Sequence, residues 1–315
     1  MAKSKKSSNS KIIRNVVVIS DTHFGCRLAL CPPSGSQLDD GGHYTPSDAQ
    51  KEIWNHWRYF WDEWVPKVTH GEPYTVVHNG DALDGSHHGS TTQISQNIMD
   101  QRELAYSAMK EIVERCEGRY YHVRGTEAHV GKSGADEEEI AKRLGAIPNK
   151  QGQFARWDLW MAVGDDNLVH FSHHIGTTGS NHYESTAVHK ELCEAFTEAG
   201  RWGDCPPDVV VRSHRHRCIE IRIPGARGYA VSLVTPGWQA KTPFAYRIAG
   251  GRQAQPQIGG CLIRQGDEEL HTRHCVWTPE RPYVENPGMS ESERVRELHR
   301  QRDKRHKDRK RAGLV

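Results

Sequence analysis

The chain has 315 residues, 36% of them hydrophobic, with 42 Lys and Arg against 40 Asp and Glu and a net charge of +2 with histidine neutral. That length suits one large α/β domain with tails, or at most two domains. The near-neutral balance leaves partners to be read from where the charge lies, and no run approaches the roughly 20 apolar residues that a membrane span needs.

The mean hydropathy of −0.76 is low for a packed domain, and polar tails and long loops account for it. Residues 1–11 are rich in Lys and Ser and read as a flexible basic arm, neither a signal nor a transit peptide. The eight cysteines contain no Cys-x-x-Cys pair, and Cys26 and Cys31 are the closest two. Without a secretory hydrophobic segment, reduced thiols in a cytoplasmic protein are the expectation. Twenty histidines is a high number for this length and fits metal chemistry.

The first predicted strand covers residues 12–20. Its apolar run Val16-Val17-Val18-Ile19 reads as a strand buried on both faces, and it empties into Ser20-Asp21-Thr22-His23. Asp21 and His23 are two apart, so in an extended segment both side chains point one way and can meet one cation. Residues 25–48 form a long loop rich in Gly, Pro, Ser and Asp, and loops of this length are often functional or mobile. A helix is predicted over 48–65, capped by Ser47 or Asp48 and ended by Pro66. Trp54, Trp57, Trp61 and Trp64 recur along it at helical spacing, as a face packed on a sheet would.

A second strand, 74–78, runs into Asn79-Gly80-Asp81-Ala82-Leu83-Asp84-Gly85. A polar loop leads to a helix at about 96–116; its His87 and His88 lie just after the second motif, where they could meet substrate, but loop histidines are usually solvated. A third strand, 120–123, ends in Arg124-Gly125-Thr126-Glu127-Ala128-His129, with Arg124 expected to pair with a carboxylate. A short acidic helix follows at 136–144. A hairpin of 157–163 and 168–172, turning at 164–167, delivers His173 and His174. A helix at 183–199 precedes a fourth buried strand, 209–211, which ends in Ser213-His214-Arg215-His216. Strands at 218–223, 229–235, 260–264 and 271–277 complete a β-rich second half. From about 290 the chain is almost wholly charged, a basic solvated tail. The domain reading is therefore a basic arm (1–11), one domain (12–289) with an insertion loop (25–48), and a basic tail (290–315).

Several strands thus end in metal-binding residues, and the repetition in order is what chance explains poorly. The set Asp21-x-His23, Gly80-Asp81-x-x-Asp84, the cluster after Gly125, His173 and His214-x-His216 resembles the calcineurin-like metallophosphoesterases over roughly residues 12–235. That resemblance implies an α/β fold, a four-layer α-β-β-α sandwich with two mixed sheets face to face and a dinuclear metal site at strand ends. It implies two divalent ions (Mn, Fe or Zn, with Mn favoured) about 3.5–4 Å apart, acidifying a water and clamping a phosphoester. Asp81 would bridge the ions, with Gly80 allowing close backbone approach. Asp21, His23 and His216 would complete one site, and His214 and His173 the other, with His174 the alternative to His173. Asp84 would fix a loop or a ligand histidine.

The third motif departs from the family's Gly-Asn-His-(Asp/Glu). Strict register places Thr126 at the Asn and Glu127 at the His. A looser loop lets Glu127 or Thr126 bind metal and gives His129 the acid role; this reading is preferred because it keeps an imidazole beside the leaving group. Ser213 stands where the family has Gly. The sequence lacks the Arg-Gly that follows the second motif in the protein Ser/Thr phosphatase branch and shares its core motifs with the SbcD-like nuclease branch. The expected function is metal-dependent hydrolysis of a phosphoester, a phosphodiester first, with nucleic acid a candidate partner through the basic termini. The alternative is a catalytically weak or inactive protein on this fold that binds nucleic acid through those termini.

Overall fold

A computed structural model describes residues 12–87, 89–165, 167–177, 181–225, 228–248, 254–266, 269–279 and 286–311. The basic arm at 1–11 and His88 lie outside the described residues. The chain divides into two units, Met1–Pro279 and Glu280–Val315. Among its described residues the second contains one helix, α8 (Glu291–Arg311).

Thirteen strands run through the described part of the first unit: β1 (Asn15–Ile19), β2 (Ser36–Gln37), β3 (His43–Tyr44), β4 (Tyr74–Asn79), β5 (Tyr120–Val123), β6 (Ala155–Arg156), β7 (Leu159–Val163), β8 (Asn167–Phe171), β9 (Val209–Arg212), β10 (Ile219–Gly225), β11 (Gly228–Val234), β12 (Ile258–Gln265) and β13 (Leu270–Trp277). The helices are α1 (Asp48–Tyr59), α2 (Val65–Thr69), α3 (Ile98–Arg115), α4 (Glu127–Val130), α5 (Ala135–Arg143), α6 (Glu184–Trp202) and α7 (Pro243–Arg247). A six-stranded sheet has the order β13-β12-β1-β4-β5-β6 and a five-stranded sheet the order β10-β11-β9-β8-β7. Both are mixed: β1, β4, β5 and β6 run parallel, β12 runs against β1, and β8, β9 and β11 run parallel between two antiparallel edges.

The period of two in β1 explains its position. Val16 and Val18 share an apolar cluster with Val209, Val211 and Leu233 of the five-stranded sheet, while Val17 and Ile19 pack with Trp57, Leu104 and Met109. On the other side of β9, Val210 packs with Leu192 of α6. Register then decides where the loops meet. Ile19 pairs with His78, and His78 with His122, so the segments after β1, β4 and β5 leave the sheet at one end. Phe171 pairs with Val211, and Val211 with Leu233, so those after β8, β9 and β11 do the same.

Two local expectations change. The helix does not stop at Pro66. Ser47 and Gln50 form a capping box at its start, and α1 then passes through a π turn, Phe60–Trp64, into α2, where Pro66 sits in the first turn. There the missing proline N–H costs little, and the helix ends at His70 in the left-handed conformation. Trp57 and Trp61 are buried, and Trp57 meets Trp238 edge to face at 4.8 Å, a packing role. The 25–48 segment is no open loop. Cys26, Leu30 and Cys31 are fully buried, and β2 pairs with β3.

Candidate metal centre

The strand ends do not continue as extended chain. Asp21, His23, Asp81, His214 and His216 all have positive φ, between 43° and 73°, and among the described residues only His70 and Glu117 are other non-glycine positions that do. Asp and His tolerate the left-handed region better than most side chains, yet each instance still costs on the order of 1–3 kcal/mol unless its surroundings enforce it. So Asp21 and His23 are turned toward one centre by left-handed turns, not by the alternation of an extended segment. Backbone bonds enforce the turns: Asp21 N donates to the Gly80 carbonyl (2.9 Å), His23 N to that of Asp81 (3.1 Å) and Trp238 N to that of Asp21 (2.9 Å).

Two groups of donors adjoin, and a third, His23 with Asp84 and His129, shares His23 with the first. In the first, His23 Nε2 lies 3.1 Å from His216 Nε2, and His216 Nε2 lies 3.3 Å from Asp21 Oδ1. In the second, His173 Nε2 lies 3.0 Å from Asp81 Oδ2, and His214 Nδ1 lies 3.9 Å from the same oxygen. The groups adjoin, because Asp21 Oδ1 is also 3.9 Å from His173 Nε2. Asp21 Oδ1 and His173 Nε2 are buried and have no aligned hydrogen-bond partner. Donor atoms about 2.1 Å from one ion lie roughly 3.0–3.4 Å apart, the spacing of the first group. Orphaned buried atoms at that spacing, from carboxylates and imidazoles only, fit divalent cations.

Supporting contacts set which ring nitrogen faces the centre. His173 Nδ1 lies 2.7 Å from the Asn79 carbonyl, which can only accept, so Nδ1 carries a hydrogen and Nε2 is the inward atom. Asp84 Oδ1 faces His23 Nδ1 at 3.5 Å. Gln93 donates to the other Asp84 oxygen (2.8 Å) and Gln239 to Oδ1 (3.2 Å). Asp84 thus stands beside the Nδ1 edge of the His23 ring, held there by two glutamines. A Cβ on Gly80 would run into the His173 ring, and one on Gly237 would lie 2.9 Å from Asp21 Cβ and 3.0 Å from His216 Cγ. Ser213 ties two strand ends together, accepting from Asn79 Nδ2 and bonding Thr235 Oγ1, both at 2.7 Å.

The electrostatics follow from burial against pairing. Burial opposes the charge on Asp21 and Asp81, but His216 and His173 beside Asp21, and His173 and His129 beside Asp81, hold both carboxyls well below the usual range. Asp84 is held low in the same way by His23 and His87. Burial pushes His173 down, yet the Asp81 and Asp21 carboxylates raise it to about 10. Burial lowers His129 to about 4, against the pull of Asp81.

The third motif divides. Thr126 donates its N–H (2.7 Å) and hydroxyl (3.1 Å) to Asp81 Oδ1. Glu127 is exposed at the start of α4 and joins none of the His/Asp groups found among the described residues. His129 comes in: its ring meets that of His23 edge-on at 4.4 Å, and its Nδ1 lies 2.7 Å from the Asp84 carbonyl. His174 is exposed, 5.5 Å from the His173 ring, and outside the groups. His170 stacks on Trp160 at 4.2 Å. Arg124 pairs with Glu138 at 3.1 Å and not with the centre.

Glu137 escaped the sequence reading because it sits in the acidic run 136–139, which looks solvated. It is fully buried, and its two oxygens accept from Ala82 N (2.8 Å) and Gly125 N (2.5 Å), the neighbours of Asp81 and Thr126. Glu137→Ala leaves two buried N–H groups unpaired and is expected to cost roughly 2–4 kcal/mol of stability, read from urea unfolding. A loss within ordinary surface-mutation scatter contradicts that role.

No protein-family model matches the chain, and no curated protein matches it. Solved structures similar at a low level include the following three. Vacuolar protein sorting 29 from Cryptosporidium parvum is 11% identical with a TM-score of 0.33, over 85% of this chain and 100% of that one. A Thermotoga maritima protein solved by NMR is 10% identical with a TM-score of 0.34, over 84% and 100%. A Vps29 double mutant from Entamoeba histolytica is 12% identical with a TM-score of 0.36, over 84% and 99%. At these scores the likenesses carry no argument, and the centre rests on its own residues.

Proposed function

We propose that the chain is a hydrolase of phosphoesters, phosphodiesters first, that works with two divalent cations on a calcineurin-like metallophosphoesterase fold. The observation that carries the reading is the pair of adjoining Asp/His groups, with Asp21 Oδ1 and His173 Nε2 buried and without aligned partners between them. The four-layer arrangement belongs to the same proposal. It is supported by apolar clusters on both faces of β1 and by α6 against Val210.

Asp21, His23 and His216 would hold one ion, and Asp81, His173 and His214 the other. Among the described residues only Asp21 Oδ1 lies within 4 Å of ring nitrogens in both groups, so Asp21 joins Asp81 as a candidate bridge. An all-nitrogen-and-oxygen donor set favours Mn over softer thiophilic ions, with Fe and Zn open. When bound, such ions supply charge for the phosphoryl oxygens and lower the pKa of a water. The chain's own part is to hold the donors in place before substrate arrives, through the Asn79 carbonyl, Asp84 and Glu137. Thr126 fills the Asn position of the third motif better than Glu127 does. A cytoplasmic setting is part of the proposal and is supported by eight free cysteines. Among the described residues no helix is long and apolar enough to cross a membrane.

A second reading is supported by the same Thr126: a hydroxyl committed to Asp81 is a weak metal ligand. The protein would then hold cations with little turnover, and α8 with its Arg and Lys side chains would recruit nucleic acid. The deciding measurement is hydrolysis of bis-p-nitrophenyl phosphate. Purified protein with added Mn is expected to turn it over, and EDTA to stop it. Absence of turnover with both ions bound would favour the second reading.

A further inference from the structure

The proposed hydrolysis, on which this inference rests, needs a proton for the departing oxygen, and the third motif supplies it poorly. Glu127 is exposed and away from the donor groups. His129 has its Nδ1 committed to the Asp84 carbonyl, and its ring is packed against those of His23 (4.4 Å) and His87 (4.3 Å), on the inner side of the loop. The loop after β4 offers another imidazole. His87 reads in sequence as a solvated loop residue, yet its side chain is only 10% exposed. Its Nε2 lies 3.7 Å from Asp84 Oδ1, and its ring meets that of His129 edge-on at 4.3 Å.

That position is built. Gly85, with φ +69°, makes the turn that folds the loop back over the centre, and a Cβ there would collide with the His129 backbone. Gln101 clamps the turn, accepting from Gly85 N (2.8 Å) and donating to the Gly85 carbonyl (3.2 Å). Ser90 N donates to the His87 carbonyl at 2.8 Å. On its outer side His87 lies 6.5 Å, ring to ring, from Phe244, which is partly exposed on α7. The imidazole therefore stands next to the donor groups, through His129 and His23, with the partly exposed Phe244 on its outer side. The Asp84 carboxylate beside it, 3.7 Å from Nε2, can orient the ring.

We propose that His87 is the catalytic residue that protonates the leaving oxygen, and that Asp84 positions it. Water gives up one proton to solvent as its oxygen forms the new bond to phosphorus, and the ester P–O bond breaks with its electron pair on the departing oxygen. The His87 ring N–H proton passes to that oxygen, and His87 recovers a proton from solvent after release.

The test compares wild type and His87→Gln, with Mn, on two phosphodiesters. The dinucleotide thymidylyl-thymidine leaves as a sugar alkoxide, which needs a proton. Bis-p-nitrophenyl phosphate leaves as a stabilised phenolate, which needs one far less. The variant is expected to lose about 10²–10⁴-fold in kcat on the dinucleotide, and at least about tenfold less than that on the aryl ester, with wild-type Mn content. Equal losses on both substrates, or Mn content below wild type, would mean a structural role and overturn the assignment; so would an unimpaired rate on the dinucleotide. No turnover of either substrate by wild type removes the phosphodiesterase reading itself and this assignment with it, an outcome separate from the others.

Discussion

Asp81→Asn is expected to lower Mn-dependent turnover of bis-p-nitrophenyl phosphate by on the order of 10³-fold or more, the size of loss seen when one member of a catalytic unit is removed. The substitution isolates charge from shape. Asn keeps an oxygen that can accept from Thr126 N, so the turn after β4 and its junction with the third motif survive. What disappears is the anion 3.0 Å from His173 Nε2 and the second carboxylate of the donor set. An amide nitrogen in place of Oδ2 would face the inward histidine and cannot bind a cation. Far-UV circular dichroism should match wild type, and bound Mn measured by elemental analysis should fall. A variant that folds and turns over at near wild-type rate would end the two-ion reading.

The motif order was readable because ligand spacing along a strand end is local, and because buried parallel strands announce themselves as runs such as Val16 to Ile19. The sheet register that gathers the loops is not local, and the hydrophobic runs marked the strands but not their pairing. Three things stayed hidden for physical reasons. The left-handed conformations at Asp21, His23, Asp81, His214 and His216 are enforced by bonds between loops far apart in sequence, so the expectation of extended alternation could not foresee them. Glu137 lies in an acidic run that looks solvated and is buried only because two distant backbone N–H groups need an acceptor. The same holds for His87, which a glycine turn folds inward. Pro66 misled in the opposite direction: a π turn just before it lets the helix continue.

Cation affinity is expected to climb steeply with pH, and His173 is the reason. Without ions, the carboxylates of Asp81 and Asp21 outweigh burial and raise His173 from 6.5 to about 10, so at neutral pH its inward Nε2 carries a proton. A cation needs that nitrogen's lone pair and must displace the proton. Below the raised pKa each pH unit then changes affinity about tenfold, so Mn binding should strengthen by about 100-fold between pH 6.5 and 8.5 from this group alone. Calorimetry in buffers of different ionisation enthalpy should detect the proton released. Stability of the ion-free chain runs the other way. A histidine raised on folding contributes fully below pH 6.5 and loses that contribution as pH rises through about 10. Asp21 and Asp81, depressed on folding from 3.8, contribute above that value and lose it as pH falls. The EDTA-treated protein should therefore melt highest in mildly acidic solution and progressively lower toward pH 10, while saturating Mn flattens or reverses the alkaline decline. A Mn affinity that does not change with pH, alongside an EDTA-treated melting curve that is flat from pH 6.5 to 9.5, would show that His173 is not the inward donor. Its hydrogen bond to the Asn79 carbonyl would then be a packing detail and not the device that aims Nε2 at the centre.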